Sequence, residues 1–330
     1  MTGALAACLA FSGPAQAQVG AKPALMHPRG DINTRPEAEI DLRQTYPALA
    51  PVKMGYIRPN NLRNLPQTLN RPNKNRKGAT PPSLLGAPVP IELWGNAIYQ
   101  TTWGEGEPQY GYYAFSTAAP VNSVNLLGKD PDMIFNAGCG IVNGVLHGVF
   151  LDTSLVVYGI IKAYHLQFDP ETWERVAPSK EVQLHLAAFE TAQDQTTGDI
   201  YGEFYNSDLT KREFGVVDFE SETRTTFGTT TKAYVALGLS TDGYLYGVAV
   251  DGNLYKIDKT NGAETLIGST GVQILDAEGA YFNQSGEIDQ KTNTFYWASV
   301  NSEGECVLYT VDLATGAVTK ISDFPNGDIV

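Results

Sequence analysis

Leu254-Tyr-Lys-Ile257, Asp258-Lys-Thr-Asn-Gly262 and Ala263-Glu-Thr-Leu-Ile267 run on without a break. Two short strands flank a turn that opens on aspartate and closes on glycine. An aspartate side chain accepts bonds from the backbone N–H groups just ahead of it, and glycine takes the positive φ that ends the turn. The frame returns as Asp312-Leu-Ala-Thr-Gly316. It returns without the glycine from Asp218 to Glu222 and from Asp169 to Trp173.

Two further strands lie upstream. Ala233-Tyr-Val-Ala-Leu-Gly-Leu-Ser240 and Tyr244-Leu-Tyr-Gly-Val-Ala-Val250 are separated by Thr241-Asp-Gly243, and Asp251-Gly252 is a hairpin signal. The unit from Ala233 to Thr270 therefore holds four strands. Its first turn has counterparts at Asn143-Gly144, Thr197-Gly198 and Thr292-Asn293, giving spacings of 54, 45 and 50 residues. A weaker unit starts near Trp94-Gly95, 49 residues before Gly144, with Tyr110-Gly-Tyr-Tyr-Ala-Phe115 as its third strand. Its last turn carries Ser116 and Pro120 instead of Asp and Gly.

Four strands at a period of about 40–50 residues predict an all-β chain folded as a β-propeller of four-stranded blades. Five units fall between about residues 88 and 325. Apolar and polar residues alternate in Val307-Leu-Tyr-Thr-Val-Asp312, and no long stretch holds a helical period. A β-solenoid coil is shorter than these units, and a sandwich array lacks support from any Cys…Trp…Cys pattern. Asn326-Gly-Asp-Ile-Val330 reads as the opening of a sixth unit. An open ring exposes unpaired blade faces and edge strands, so the chain is expected to be truncated, with further modules beyond Val330.

Residues 1–17 read as a signal peptide with an Ala15-Gln-Ala17 cleavage site, although its basic first region is missing. Leu5-Ala-Ala-Cys8 also fits a lipoprotein box. The expected location is secreted, periplasmic or at the cell surface, with no membrane span after the leader. Residues 18–87 form a Pro- and Asn-rich extended segment, and residues 88–330 form the propeller. From Gln18 to Leu85 there are 11 Lys/Arg and 4 Asp/Glu, a net of +7; from Gly86 to Val330 there are 12 and 32, a net of −20. The basic segment is a solvated linker, a leader lying on its own acidic propeller, or an arm for an anionic partner. An acidic propeller does not suit nucleic acid, because phosphate contacts need Lys and Arg.

The sequence carries no nucleophile elbow, metalloprotease, P-loop or calcium-loop motif, and no Cys/His metal spacing. No metal is expected. Cys139 falls on a first strand and Cys306 on a third strand of another unit, and both are expected as buried free thiols. His147, His165 and His185 lie inside predicted strands, where packing roles predominate. His185 is placed on a first strand, the strand that lines a propeller channel. Trp94, Trp103, Trp173 and Trp297 either fill blade cores or stack on sugars.

Propellers bind ligands at a channel mouth, where each blade junction meets the next first strand. Aligning those junctions selects Asp132, Gln183, His185, Lys232, Tyr234, Asp276 and Glu278 as candidate ligand-binding residues, a mixed ring suited to a polar ligand. The function expected is a non-enzymatic binding or scaffold propeller for protein or glycan. The alternative is a polysaccharide hydrolase or lyase that uses Asp132, His185 and Asp276 as acid and base.

Val311-Asp-Leu-Ala-Thr-Gly-Ala-Val318, with Leu254-Tyr-Lys-Ile-Asp258, resembles repeats of secreted bacterial propellers of the quinoprotein-like and YVTN-like groups. The chain is also similar in style to propellers of large Bacteroidetes surface proteins. In quinoprotein dehydrogenases the turn continues to a docking tryptophan; Ile267 and Ile321 stand there in this chain, so no cofactor is expected.

Overall fold

A computed structural model describes residues 90–96, 111–118, 124–130, 135–152, 162–205, 212–275, 281 and 284–324. They form five antiparallel sheets, each a simple meander, arranged as a β-propeller. Blade 1 shows β1 (Glu92–Asn96), β2 (Gly111–Ser116) and β3 (Asn125–Lys129). Blade 2 is β4 (Phe135–Val142), β5 (Val145–Asp152), β6 (Lys162–Phe168) and β7 (Lys180–Val182). Blade 3 is β8 (Ala188–Gln193), β9 (Ile200–Tyr205), β10 (Arg212–Asp218) and β11 (Thr223–Thr229). Blade 4 is β12 (Tyr234–Leu239), β13 (Leu245–Ala249), β14 (Asn253–Ile257) and β15 (Glu264–Ser269). Blade 5 is β16 (Ser285–Asp289), β17 (Thr294–Val300), β18 (Cys306–Val311) and β19 (Val318–Asp323). A single 3₁₀ turn, Leu184–Leu186, joins blades 2 and 3.

The aspartate frame behaves as its chemistry requires. Asp169, Asp194, Asp218 and Asp312 each accept two backbone N–H groups, two and three residues ahead, on one carboxylate oxygen. Asp258 and Asp289 accept the one two residues ahead. The residue four places on has positive φ in every case: Trp173, Gly198, Glu222, Gly262, Asn293 and Gly316. Spacing, not glycine, therefore marks the turn. Two of the six, Asp194 and Asp289, close the first hairpin of a blade instead of the last.

A second repeated device holds neighbouring blades together. The pairing of third and fourth strands slips by one residue at Leu127, Phe227, Ile267 and Ile321. In three blades a glycine follows, and it touches the last turn of the next blade. A Cβ on Gly228 would land on the Asn261 carbonyl oxygen, one on Gly268 on that of Thr315, and one on Gly128 against Trp173. The bulge bends the edge strand, and the bare glycine lets the neighbouring backbone approach.

This bulge also places blade 1. Tyr112↔Gly128 corresponds to Leu254↔Gly268, so β1, β2 and β3 answer to the second, third and fourth strands of the other blades. Gly95 lies inside β1, paired with Tyr113, and not in a turn as the sequence alignment placed it; burial of Leu93 and Trp94 draws this stretch into the sheet.

Contacts run around all five blades. Trp94 of blade 1 meets Trp173 of blade 2 edge-on, with ring centroids 4.7 Å apart, and Phe115 of blade 1 meets Phe324 after β19, 5.0 Å apart. One apolar cluster spans blades 5, 1, 2 and 3 through Leu308, Phe324, Phe115, Leu93, Phe150, Phe168 and Phe204. Another joins blades 4 and 5 through Val235, Leu254, Ile288, Phe295 and Trp297. Each such side chain contributes about 1.5–3 kcal/mol by leaving water. The stretch read as the start of a sixth unit, the leader and the basic segment lie outside the described residues.

Candidate functional site

The first strands β4, β8, β12 and β16 pack side by side around the axis. Small residues permit this closeness: Gly286 faces Ala236, and Gly238 faces Ile288. Blades 3 and 5 are not neighbours in the ring, so contacts between them mark the axis itself. The Ser285 hydroxyl stands 3.4 Å from Glu190 Oε2. At the other end of these strands, Gln290 Nε2 donates to the Gln193 carbonyl at 2.7 Å, and Gln195 N–H donates to Gln290 Oε1 at 3.2 Å. Gln290 thus ties the two first hairpins together across the axis.

The junction end carries the polar side chains. Glu190, Asn136, Ser285 and Glu287 are all buried on first strands. Neither polar atom of the Asn136 side chain has a hydrogen-bond partner among the described residues. Glu287 Oε1 accepts the Ile288 N–H at 3.1 Å. Carboxylates enter a protein interior only where hydrogen bonds or charge compensate, so two glutamates on inner strands are a feature with a reason behind it.

Glu203 pairs with Glu190 across β8 and β9, but its role differs. Its Oε1 accepts from Thr230 Oγ1 at 2.5 Å, and its Oε2 accepts from the Tyr234 N–H and Arg212 Nη1, each at 3.2 Å. Burial pushes the Glu203 carboxyl up, against the opposing pull of Arg212 and these hydrogen bonds. Its lone pairs are spent on holding blade 4 to blade 3.

Of the seven residues chosen from the junctions, four lie among the described residues. Lys232 and Tyr234 come together around Glu264. The Tyr234 hydroxyl donates to Glu264 Oε1 at 2.7 Å, and the Lys232 N–H donates to the same oxygen at 3.2 Å. Lys232 Nζ pairs with Asp251 at 2.9 Å and sits over the Tyr255 ring. The hydrogen bond to Asp251, then that to Tyr255, raises the Lys232 pKa; burial, then Glu264, raises that of Tyr234. Both are structural members of one network. Gln183 precedes the 3₁₀ turn and caps nothing with its side chain. His185 lies in that turn and not on a first strand: β8 begins at Ala188, because the chain turns to bury Leu186. Burial and then Arg224 lower the His185 pKa, and its carbonyl accepts Arg224 Nη1 at 2.9 Å. Asp132, Asp276 and Glu278 lie outside the described residues.

Trp94 and Trp297 are buried in blade cores, the packing reading of the two offered by the sequence. Cys139 and Cys306 are buried, unbridged and on the expected strands. Among the described residues no group of three His, Cys, Asp or Glu is placed to hold a metal, and no helix is long and apolar enough to cross a membrane.

The axial glutamates were missed because nothing marks them until the inner strand is known. In retrospect, Ala188-Phe-Glu190-Thr and Ser285-Gly-Glu287-Ile each place one acid in a first strand of small and apolar residues.

Residues 196–327, less than half of the chain, match a family described as "Repeat of unknown function (DUF6923)". No curated protein matches. Solved structures with likeness include a structural genomics protein of unknown function from Bacteroides thetaiotaomicron, at 13% identity and TM-score 0.39, over 56% of this chain and 42% of that one. Another is hydrazine synthase from Kuenenia stuttgartiensis, at 14% identity and TM-score 0.32, over 53% and 45%. The chain thus spans less than half the length of either. The propeller assignment rests on the sheets themselves.

Proposed function

We propose that this protein is a non-enzymatic binding or scaffold propeller, exported to the cell surface, that takes a protein or glycan ligand at the junction end of its axis. The observation that carries this reading is the pair of buried inner-strand glutamates, Glu190 and Glu287, with Ser285 of blade 5 reaching Glu190 of blade 3 across the axis. Carboxylates there accept hydrogen bonds from the hydroxyls of a glycan or the N–H groups of a peptide. The sheets that hold them are rigid, so little ordering is needed on binding. Asn136 adds one more donor and acceptor on a neighbouring first strand.

The hydrolase reading finds less support. Glu203, a carboxyl raised by burial, spends both oxygens on Thr230, Tyr234 and Arg212. A general acid needs a proton free to reach a leaving group.

Glycan and peptide arrays probed with the exported chain test the proposal, with Glu190→Gln as the control variant. A charge-assisted hydrogen bond is worth about 1.5–3 kcal/mol, so the variant should bind about tenfold to a hundredfold more weakly while keeping its melting temperature. Equal binding by both proteins would remove the axis as the site. Cleavage of any arrayed glycan would replace this reading with the hydrolase.

A further inference from the structure

We propose that His147 and His165 form a proton-operated latch between blades 2 and 3, shut while the pair carries at most one extra proton and opened by the second. His147 stands on β5 and His165 on β6, both buried. His147 Nδ1 and His165 Nε2 are 3.0 Å apart. His165 Nδ1 lies 3.2 Å from Glu222 Oε1, and Glu222 Oε2 accepts Lys180 Nζ at 2.6 Å. Phe219 stacks on both imidazoles, 6.2 Å from His147 and 5.9 Å from His165. Asn143 Nδ2 donates to Glu220 Oε1 at 2.8 Å. Phe219, Glu220 and Glu222 all belong to the last turn of blade 3. The chain Lys180–Glu222–His165–His147 therefore clamps that turn onto blade 2.

Counting protons shows why the clamp is conditional. His165 Nδ1 donates its proton to Glu222. One proton fits in the 3.0 Å gap between the rings. With both rings neutral, His147 supplies it; with one imidazolium, His165 supplies it and His147 accepts. The contact survives either way. A second added proton sets N–H against N–H, and two cations then share a buried site, which costs both the hydrogen bond and charge repulsion.

The groups facing the pair are Lys180 from blade 2 and Asp218, Glu220 and Glu222 from the turn of blade 3. Burial and then the neighbouring His165 lower the His147 pKa to about 4, outweighing Glu220 and Asp218. Burial raises the Glu222 carboxyl, but Lys180 and His165 outweigh it and hold the group below its ordinary value. The latch thus stays shut near neutrality and opens in acid.

Hydrogen–deuterium exchange of the full chain between pH 7 and 4, corrected for intrinsic rates, tests the latch against His147→Gln. Glutamine keeps a donor toward His165 and cannot take the second proton. Amides of Lys180–Val182 and of the Asp218–Glu222 turn should lose about tenfold or more of their protection in the native chain as acid opens this seam, while β16–β19 keep theirs. The glutamine variant should hold its protection. Equal loss in both proteins, or none in the native chain, would overturn the proposal. Should the variant not fold, ¹⁵N titration of the native histidines decides. Two linked steps, the second moving the Phe219 resonances, support the latch; independent single steps that leave Phe219 unmoved refute it.

Discussion

The seam between blades 4 and 5 and the seam between blades 2 and 3 solve one problem in two ways. At the first, Gly268 receives the Thr315 backbone, and Trp297, Phe295 and Leu254 fill the space behind. At the second, β7 is only three residues long and has no glycine. There Lys180 reaches Glu222 in the turn of blade 3, and the two histidines lie beneath. One seam is closed by shape, and the other adds charge to its apolar packing. Shape is indifferent to pH and salt. Charge is not, so the seam between blades 2 and 3 answers to its surroundings.

The largest test of this contrast is steric. Gly268→Ala sets a Cβ on a backbone carbonyl that cannot rotate away. Overpacking of this kind costs about 1–3 kcal/mol or more, and urea unfolding should read that loss equally at pH 7 and pH 5.

The pH response of the other seam follows from His147, whose folded pKa of about 4 lies below its ordinary 6.5. The unfolded chain then binds the extra proton first, so stability is full above about 6.5 and falls as the pH drops toward about 4. At about 1.4 kcal/mol per pKa unit, the loss is on the order of 3 kcal/mol. Thermal melts of the native chain against His147→Gln should show it as a narrowing gap; parallel curves would mean that His147 is not the source.

Asp194 makes a finer probe. It is buried, shapes the first hairpin of blade 3 through Thr196 and Thr197, and pairs with Lys259 of blade 4 at 3.0 Å. Asp194→Ala should cost about 2 kcal/mol, since turn and ion pair go together, and Asp194→Asn less, since the turn bonds remain. The smallest effect belongs to Lys180→Met. Lys180 is largely exposed, so its pair with Glu222 is worth at most about 1 kcal/mol. The difference from the native chain should vanish near 1 M salt, where the Debye length is about 3 Å.

What the sequence disclosed was whatever depends on neighbours along the chain. Asp169 and Asp218 announced their turns by spacing alone, even though Trp173 and Glu222 close them without glycine. The bulge glycines were readable too, as Leu127-Gly128, Phe227-Gly228 and Ile267-Gly268 recur before the end of a blade. Their purpose lies in the next blade, which the local sequence does not show. The candidate site was less legible. Lys232 and Tyr234 do meet, but in a network around Glu264 that fixes both. His185 stands in a turn because burial of Leu186 outweighs the apparent strand alternation. Glu190 and Ser285 lie 95 positions apart, and only the closed ring brings them together.

Those axial contacts also bear on how such a chain can change over generations. Arrays whose units touch only their neighbours gain and lose units freely by duplication or deletion. Gln290 holds Gln193 and Gln195, and Ser285 meets Glu190, with one intervening blade between them. A copy inserted there would carry both partners out of reach. The interval between blades 3 and 5 is thus fixed at the centre, and an ancestor that altered it would have had to rebuild these axial contacts in the same step.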